Sequence, residues 1–165
     1  MHNQQSINQI IYSNVRIFYA IAKESFDEMK AEEKKHMRPK ANGEPGNIIT
    51  IDLDQKGFKA ALKTIVFCGV YFDAFLHLLI GKRFGSKECK NTDKCTYEDK
   101  LAILGCQDDK LFDACEYLRK VRNKIVHEKA YFDNKRIKIA QKEAEKAIQS
   151  LDSICQFLSI ELADS

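Results

Sequence analysis

The stretch Gln55 to Phe84, QKGFKAALKTIVFCGVYFDAFLHLLIGKRF, decides how this chain folds. Placed at about 100° per residue, Ile65, Val66, Phe67, Val70, Tyr71, Phe72, Phe75, Leu76, Leu79 and Ile80 cover nearly every side of a helix. A helix apolar all round must be surrounded. Asp73 and His77 interrupt the run, and Thr64 to Ile80 stops short of the roughly 20 apolar residues a membrane span needs, so a buried central helix with no membrane contact is expected.

Amphipathic segments flank it on both sides. Ile7, Ile10, Ile11, Val15, Phe18, Ile21, Ala22 and Met29 recur at helical spacing, which predicts an N-terminal helix over residues 1–33. Residues 34–53 read as a loop, because Pro39, Gly43, Pro45 and Gly46 sit in a polar context, and Asp52 or Asp54 is placed to cap the central helix. Gly85 to Lys94 reads as a second polar loop. Thr96-Tyr97-Glu98-Asp99 then has the form of a capping box with Asp in the usual Glu or Gln position, opening a short helix that ends at Gly105. A fourth helix begins at Asp108 or Asp109 and buries Leu111, Ala114, Cys115, Leu118, Val121 and Ile125. Asp133 or Asn134 caps a last helix whose apolar side runs from Ile137 to Leu158. Together these predict one domain over residues 1–165, an all-α antiparallel bundle of four to five helices.

Composition agrees with that class. Only 7 Gly and 2 Pro occur in 165 residues, against 44% hydrophobic and 31% charged, which suits helices rather than a turn-dense β-sandwich. Six cysteines without a signal-peptide pattern point to a reducing, cytoplasmic setting. Cys68, Cys115 and Cys155 fall in apolar helical patterns and read as core hydrophobes. Cys89, Cys95 and Cys106 lack the tight C-x2-C spacing and fourth ligand of a zinc site, so neither metal nor cofactor is expected.

The chemistry concentrates in Glu116 to Glu128, EYLRKVRNKIVHE. With six Arg and four His in the chain, an Arg followed by His four to six residues later is expected by chance about 0.4 times. Asn directly after the Arg lowers that to roughly 0.01. Arg122-Asn123-x-x-x-His127 is therefore the feature to explain. Arg119, Asn123, His127 and Tyr131 follow one another at i+4 opposite the core face, with Phe112 near that side and Val126 flanking it. Two apolar groups sharing a face with polar ones suit a second interface. Arg122 falls at the boundary of the core face.

This segment resembles the signature of the HEPN superfamily, an Arg-x4–6-His motif in which Asn, Asp or His often follows the Arg. The resemblance extends more loosely over residues 54–162, and residues before Asp54 have no counterpart in it. It implies an all-α bundle that dimerises so that two motifs line one cleft. It also implies a metal-independent endoribonuclease of the toxin–antitoxin, phage-defence or RNA-processing kind, in which Arg122, Asn123 and His127 are the functional positions and an antitoxin is a partner. Other members are inactive and bind nucleotide, RNA or proteins. An acidic residue on a core helix approaches the motif in such folds, which makes Asp73 a secondary candidate.

Charge coincides with the motif. From Arg119 to Lys142 nine basic residues face two acidic ones, 9 − 2 = +7, within a chain of net charge +3. Such a stretch attracts a phosphate backbone, so Arg119, Lys120, Lys124 and Tyr131 are candidate RNA contacts. Metal-free RNA cleavage needs a base for the 2′-hydroxyl proton, an acid for the 5′-oxygen and a cation for the phosphorane charge. His127 suits either proton transfer, Arg122 holds two phosphate oxygens with its planar fork, and Asn123 fixes the imidazole or ribose. One His does not readily perform both transfers, so a homodimer supplies the second. Simpler readings compete: His127 ending its helix near carbonyls, Arg122 pairing with Glu116 or Asp113, and Asp73 with His77 forming a core hydrogen bond.

Overall fold

The computed structural model describes the backbone of residues 2–127 and 134–163, and the side chains of residues 14–41, 43–126 and 140–158. The chain is an all-α helical bundle, 79% helix, with one small two-stranded sheet. In chain order it comprises α1 (His2–Lys35), β1 (Met37–Pro39), a 3-10 turn (Ala41–Gly43), β2 (Asn47–Ile49), α2 (Lys56–Phe84), α3 (Ser86–Asn91), α4 (Tyr97–Ile103), α5 (Asp109–His127) and α6 (Asn134–Ala163).

Helix α2 is the axis of the bundle and packs against α1, α3, α4, α5 and α6. By length and composition it could cross a membrane, yet half of its most apolar window is buried inside the bundle. Ile65, Cys68, Phe72, Leu76 and Ile80 are fully enclosed. Buried Thr64 avoids a stranded hydroxyl by donating to the Ala60 carbonyl at 2.9 Å. Helix α1 contributes Val15, Ala22 and Met29, and α6 contributes Ala144, Ala147, Ile148, Leu151 and Ile154, all at helical spacing.

Cross-helix contacts fix the directions. Tyr19 meets Tyr71 while Glu28 pairs with Lys63, so rising numbers on α1 meet falling numbers on α2. The two are antiparallel. Helix α1 is likewise antiparallel to α6, through Lys23–Asp152 and Lys30–Glu145. Tyr71 meets Cys155 while Gly57 lies against Gln141, so α2 and α6 run the same way, as alternate helices of an up-and-down bundle do.

Two expected loops carry structure. Residues 34–53 contain the β1–β2 hairpin, antiparallel with Met37 opposite Ile49, in which every strand residue is exposed. Strands this short give too little alternation to be read from sequence. The loop Gly85 to Lys94 contains α3, whose six residues bury none of their side chains and so present no apolar stripe. The N-cap residue of α2 is Gln55, at φ 54° and with no capping bond from its own side chain, and the expected capping acid acts from three residues earlier. Asp52 Oδ2 accepts the Gly57 N–H at 2.9 Å at the start of α2. Thr96 and Asp99 form a reciprocal capping box on α4. Gly105, at φ +93°, closes α4 with its N–H on the Ala102 carbonyl and the Cys106 N–H on Leu101.

Helix α4 is pinned to α5 by Glu98 and Arg119, whose Nε and Nη2 donate to the carboxylate at 2.9–3.1 Å. Burial works to raise the Glu98 pKa and is the largest single influence, but the hydrogen bonds and charge of Arg119, with backbone and Thr96 hydrogen bonds, together hold it below the ordinary value. A carboxylate depressed in the folded state contributes stability above its unfolded pKa and loses it as pH falls through the folded one. Glu98→Gln is therefore expected to lower stability by about 1 kcal/mol at pH 7. The difference from wild type should close as pH drops below the usual carboxylate range, measured by urea unfolding across that range.

Candidate functional site

Arg122 lies where α5 crosses α2. At the crossing α2 carries Gly69, and a Cβ built there would fall 2.5 Å from Arg122 Cδ and 3.3 Å from its Cβ. Only a hydrogen in that position lets the Arg122 side chain lie across the helix. Glycine inside a helix costs about 1 kcal/mol relative to alanine, and here the close approach explains its presence.

Tyr97, the first residue of α4, closes the arrangement. Its ring packs edge-on against Phe72 at 5.4 Å and its hydroxyl donates to the Gly69 carbonyl at 2.9 Å. Burial pushes the Tyr97 pKa up to about 12, while the neighbouring Arg122 guanidinium, a hydrogen-bonding partner, works in the opposite direction. Tyr97 therefore stays protonated. Arg122 Nε is buried and has no hydrogen-bond partner among the described residues, where no carboxylate pairs with Arg122 either. Asn123, next along α5, is half-buried.

The other basic candidates are differently placed. Arg119 is taken up by Glu98, and Lys120 pairs with Glu116 one turn away at 2.9 Å. Glu116 is thus paired with Lys120 and not with Arg122. Lys124 is exposed. The backbone of α5 includes His127, but its side chain, and all of Tyr131, lie outside the described residues.

Asp73 and His77 do not pair with each other. Asp73 Oδ1 sits 2.6 Å from Lys100 Nζ, a side chain only 3% exposed, which ties α2 to α4 one turn from Gly69. A buried ammonium demands that carboxylate more strongly than an exposed imidazole does. His77 turns to α3, with Nε2 2.8 Å from Cys89 Sγ and Nδ1 3.5 Å from Asp93 Oδ1. Burial and the Asp93 carboxylate push the Cys89 thiol up, which keeps it neutral. Phe112 also departs from expectation. It packs against the hydrophobic core, while Val126 is 53% exposed, so the apolar content of the outer α5 face is Val126 alone of the two.

All six cysteines are free thiols. Cys68 is enclosed, its pKa pushed up to about 12 by burial, consistent with a core hydrophobe. The described residues include one grouping able to ligate a metal, Glu32, His36 and Asp52, near the start of α2.

Fold and site together define a helical bundle with an arginine-centred polar site where α2, α4 and α5 meet. No protein-family model matches the chain, and no curated protein or solved structure is detectably similar to it.

Gly69 and Tyr97 were not singled out by the sequence. A lone glycine in an apolar helix is ambiguous until its neighbour is known, and Tyr97 sits directly before the Glu98–Asp99 pair that dominates the local pattern. Gly69→Ala is expected to destabilise the fold by about 1–3 kcal/mol through overpacking against Arg122. Chemical denaturation checks this, with Gly81→Ala, whose Cβ comes no nearer than 3.3 Å, to Cys89 Sγ, costing less.

Proposed function

We propose that this chain is a HEPN-type, metal-independent endoribonuclease of the cytoplasm, acting as a homodimer and leaving 2′,3′-cyclic phosphate and 5′-hydroxyl ends. The observation that supports it is Arg122. Among three neighbouring α5 cations, Arg119 and Lys120 are neutralised by carboxylates, whereas Arg122 keeps its charge and an unused Nε donor in a half-buried place. Nε itself is enclosed, and it is the rest of the planar guanidinium, on a half-buried side chain with no described carboxylate partner, that suits a phosphate oxygen. Asn123 adjoins it, and His127 follows one turn further along α5. In this reading His127 moves the proton, Arg122 stabilises the phosphorane charge, and the second His127 of a two-fold dimer supplies the complementary transfer. A toxin or defence role, with an antitoxin as partner, is the setting proposed for it.

A second reading has its own support. Arg119 and Lys120, expected on the RNA, are engaged within the chain, which thins the phosphate track and favours a non-catalytic HEPN module binding nucleotide, RNA or a partner.

Incubation of the purified chain with single-stranded RNA in EDTA separates the two. Cleavage is expected, reduced at least about 10²-fold by His127→Ala and also lost in Arg122→Lys, because a point charge cannot replace the fork. Val126→Glu should weaken dimerisation by light scattering and lower activity in step. Equal RNA binding by wild type and both active-site variants, with cleavage by none, would overturn the enzyme in favour of the binding module.

A further inference from the structure

Where the end of α1 meets the start of α2, three side chains from separate parts of the chain turn one atom each toward a common point. Glu32 lies in the last turn of α1, His36 just beyond it, and Asp52 between β2 and α2. A carboxylate oxygen from each acid and a ring nitrogen of His36 lie within 4.8 Å of one another. His36 Nε2 stands 4.0 Å from Glu32 Oε2 and 4.0 Å from Asp52 Oδ1. The three side chains are 11%, 30% and 19% exposed, shielded yet reachable.

Each of the three is held by its other polar atom. Glu32 Oε1 takes the Lys35 ammonium, and Asp52 Oδ2 takes the Gly57 N–H at 2.9 Å. Thr50 holds the orientation of the imidazole. Its hydroxyl donates to the His36 carbonyl at 3.2 Å. The same hydroxyl lies 3.2 Å from His36 Nδ1, so Thr50 holds that edge of the ring. With Nδ1 turned to Thr50, Nε2 is the ring nitrogen that faces the two carboxylate oxygens. Three electron-rich atoms facing one another repel unless a positive charge lies between them. Ligating histidines are oriented in this way, one ring N–H fixed by an outer partner and the other nitrogen free.

We infer that Glu32, His36 and Asp52 form a binding site for a divalent first-row transition cation of the zinc class. One imidazole and two carboxylates are a donor set that suits such an ion, and the two carboxylates balance its charge. Donors on one tetrahedral ion with bonds of about 2.0–2.2 Å stand roughly 3.4 Å apart, so the observed separations close with small side-chain rotations. Three protein ligands leave a fourth position for water. The ion would clip the hairpin that follows α1 onto the first turn of α2. This site is separate from Arg122, since Gly57 beneath Asp52 and Gly69 beneath Arg122 are twelve residues apart on α2, about 18 Å. Its ligands are scattered over 21 positions of sequence with a hairpin between them, Glu32 to Asp52, which is why spacing alone did not reveal it.

The test is titration of the full chain, kept reduced by a non-thiol reductant, first with cobalt(II) chloride and then with zinc chloride. One equivalent of cobalt should bind, giving visible ligand-field bands without intense near-ultraviolet thiolate absorption, and zinc should displace it and raise the thermal midpoint. His36→Gln and Asp52→Asn should each weaken binding at least about 10-fold. Thr50→Val, which leaves all three ligands in place, should weaken it by about 10–100-fold with the helical circular dichroism intact, and serves if a ligand variant fails to fold. Absence of binding would leave a proton on His36 as the bridging charge and overturn the inference. Binding unchanged in the variants, or carrying thiolate bands from the cysteines, would overturn it equally.

Discussion

Burying α2 is the constraint from which the rest of this structure follows. Fully enclosing Phe72, Ile65, Leu76 and Ile80 stabilises the fold by about 1.5–3 kcal/mol each, together comparable with the whole net stability of a small domain. No single neighbour can cover a helix that is apolar on nearly every side. Helix α1 covers one flank, α6 another, and α3, α4 and α5 divide the remainder. Because α2 runs antiparallel to α1 and parallel to α6, the short helices between Phe84 and Asp109 must turn the chain back along its remaining surface. Arg83 helps them do so by donating to the Leu104 carbonyl at 2.8 Å, tying the end of α2 to the end of α4.

That packing also sets the electrostatics. Helices brought close around an apolar axis leave few places for charge, and each charge drawn inward has found a partner or is conspicuous for lacking one. Lys100 reaches Asp73, and Arg119 reaches Glu98. Arg122 is pressed against Gly69 and Tyr97 with a buried, idle Nε, an arrangement that costs free energy. The same logic operates at the other end of α2, where Glu32, His36 and Asp52 each spend one atom on the protein and turn the other toward a shared point. Both places are marked by a glycine on α2, Gly57 or Gly69, where a neighbouring side chain approaches the backbone.

Local rules made much of the fold legible from the sequence. The extent of α2, the capping box at Thr96, the stop at Gly105 and the caps at Asp52 and Asp108 all follow from chemistry within a few residues. The hairpin and α3 were missed because neither buries a periodic face. The site was legible only in part. Arg122 and Asn123 stand out by their spacing, but the pairing of Arg119 with Glu98 spans 21 positions, and that of Asp73 with Lys100 spans 27. Helical periodicity reports which face a residue occupies, not which neighbour will claim it. For the same reason Phe112, near the outer face on a helical wheel, is drawn into the core by its neighbours.

The central claim is that the half-buried Arg122 guanidinium, unpaired by any described carboxylate, binds a phosphate. The most direct measurement is the Nε–Hε proton–nitrogen NMR resonance of Arg122, assigned by Arg122→Lys, during titration with an RNA oligonucleotide methylated at its 2′-hydroxyls so that it cannot be cleaved. A progressive, saturable shift of this resonance to higher proton frequency, larger than any seen for Arg119, is the predicted result. If the Arg122 signal stays fixed while resonances elsewhere follow RNA binding, Arg122 is a structural strut and the account of the site is wrong.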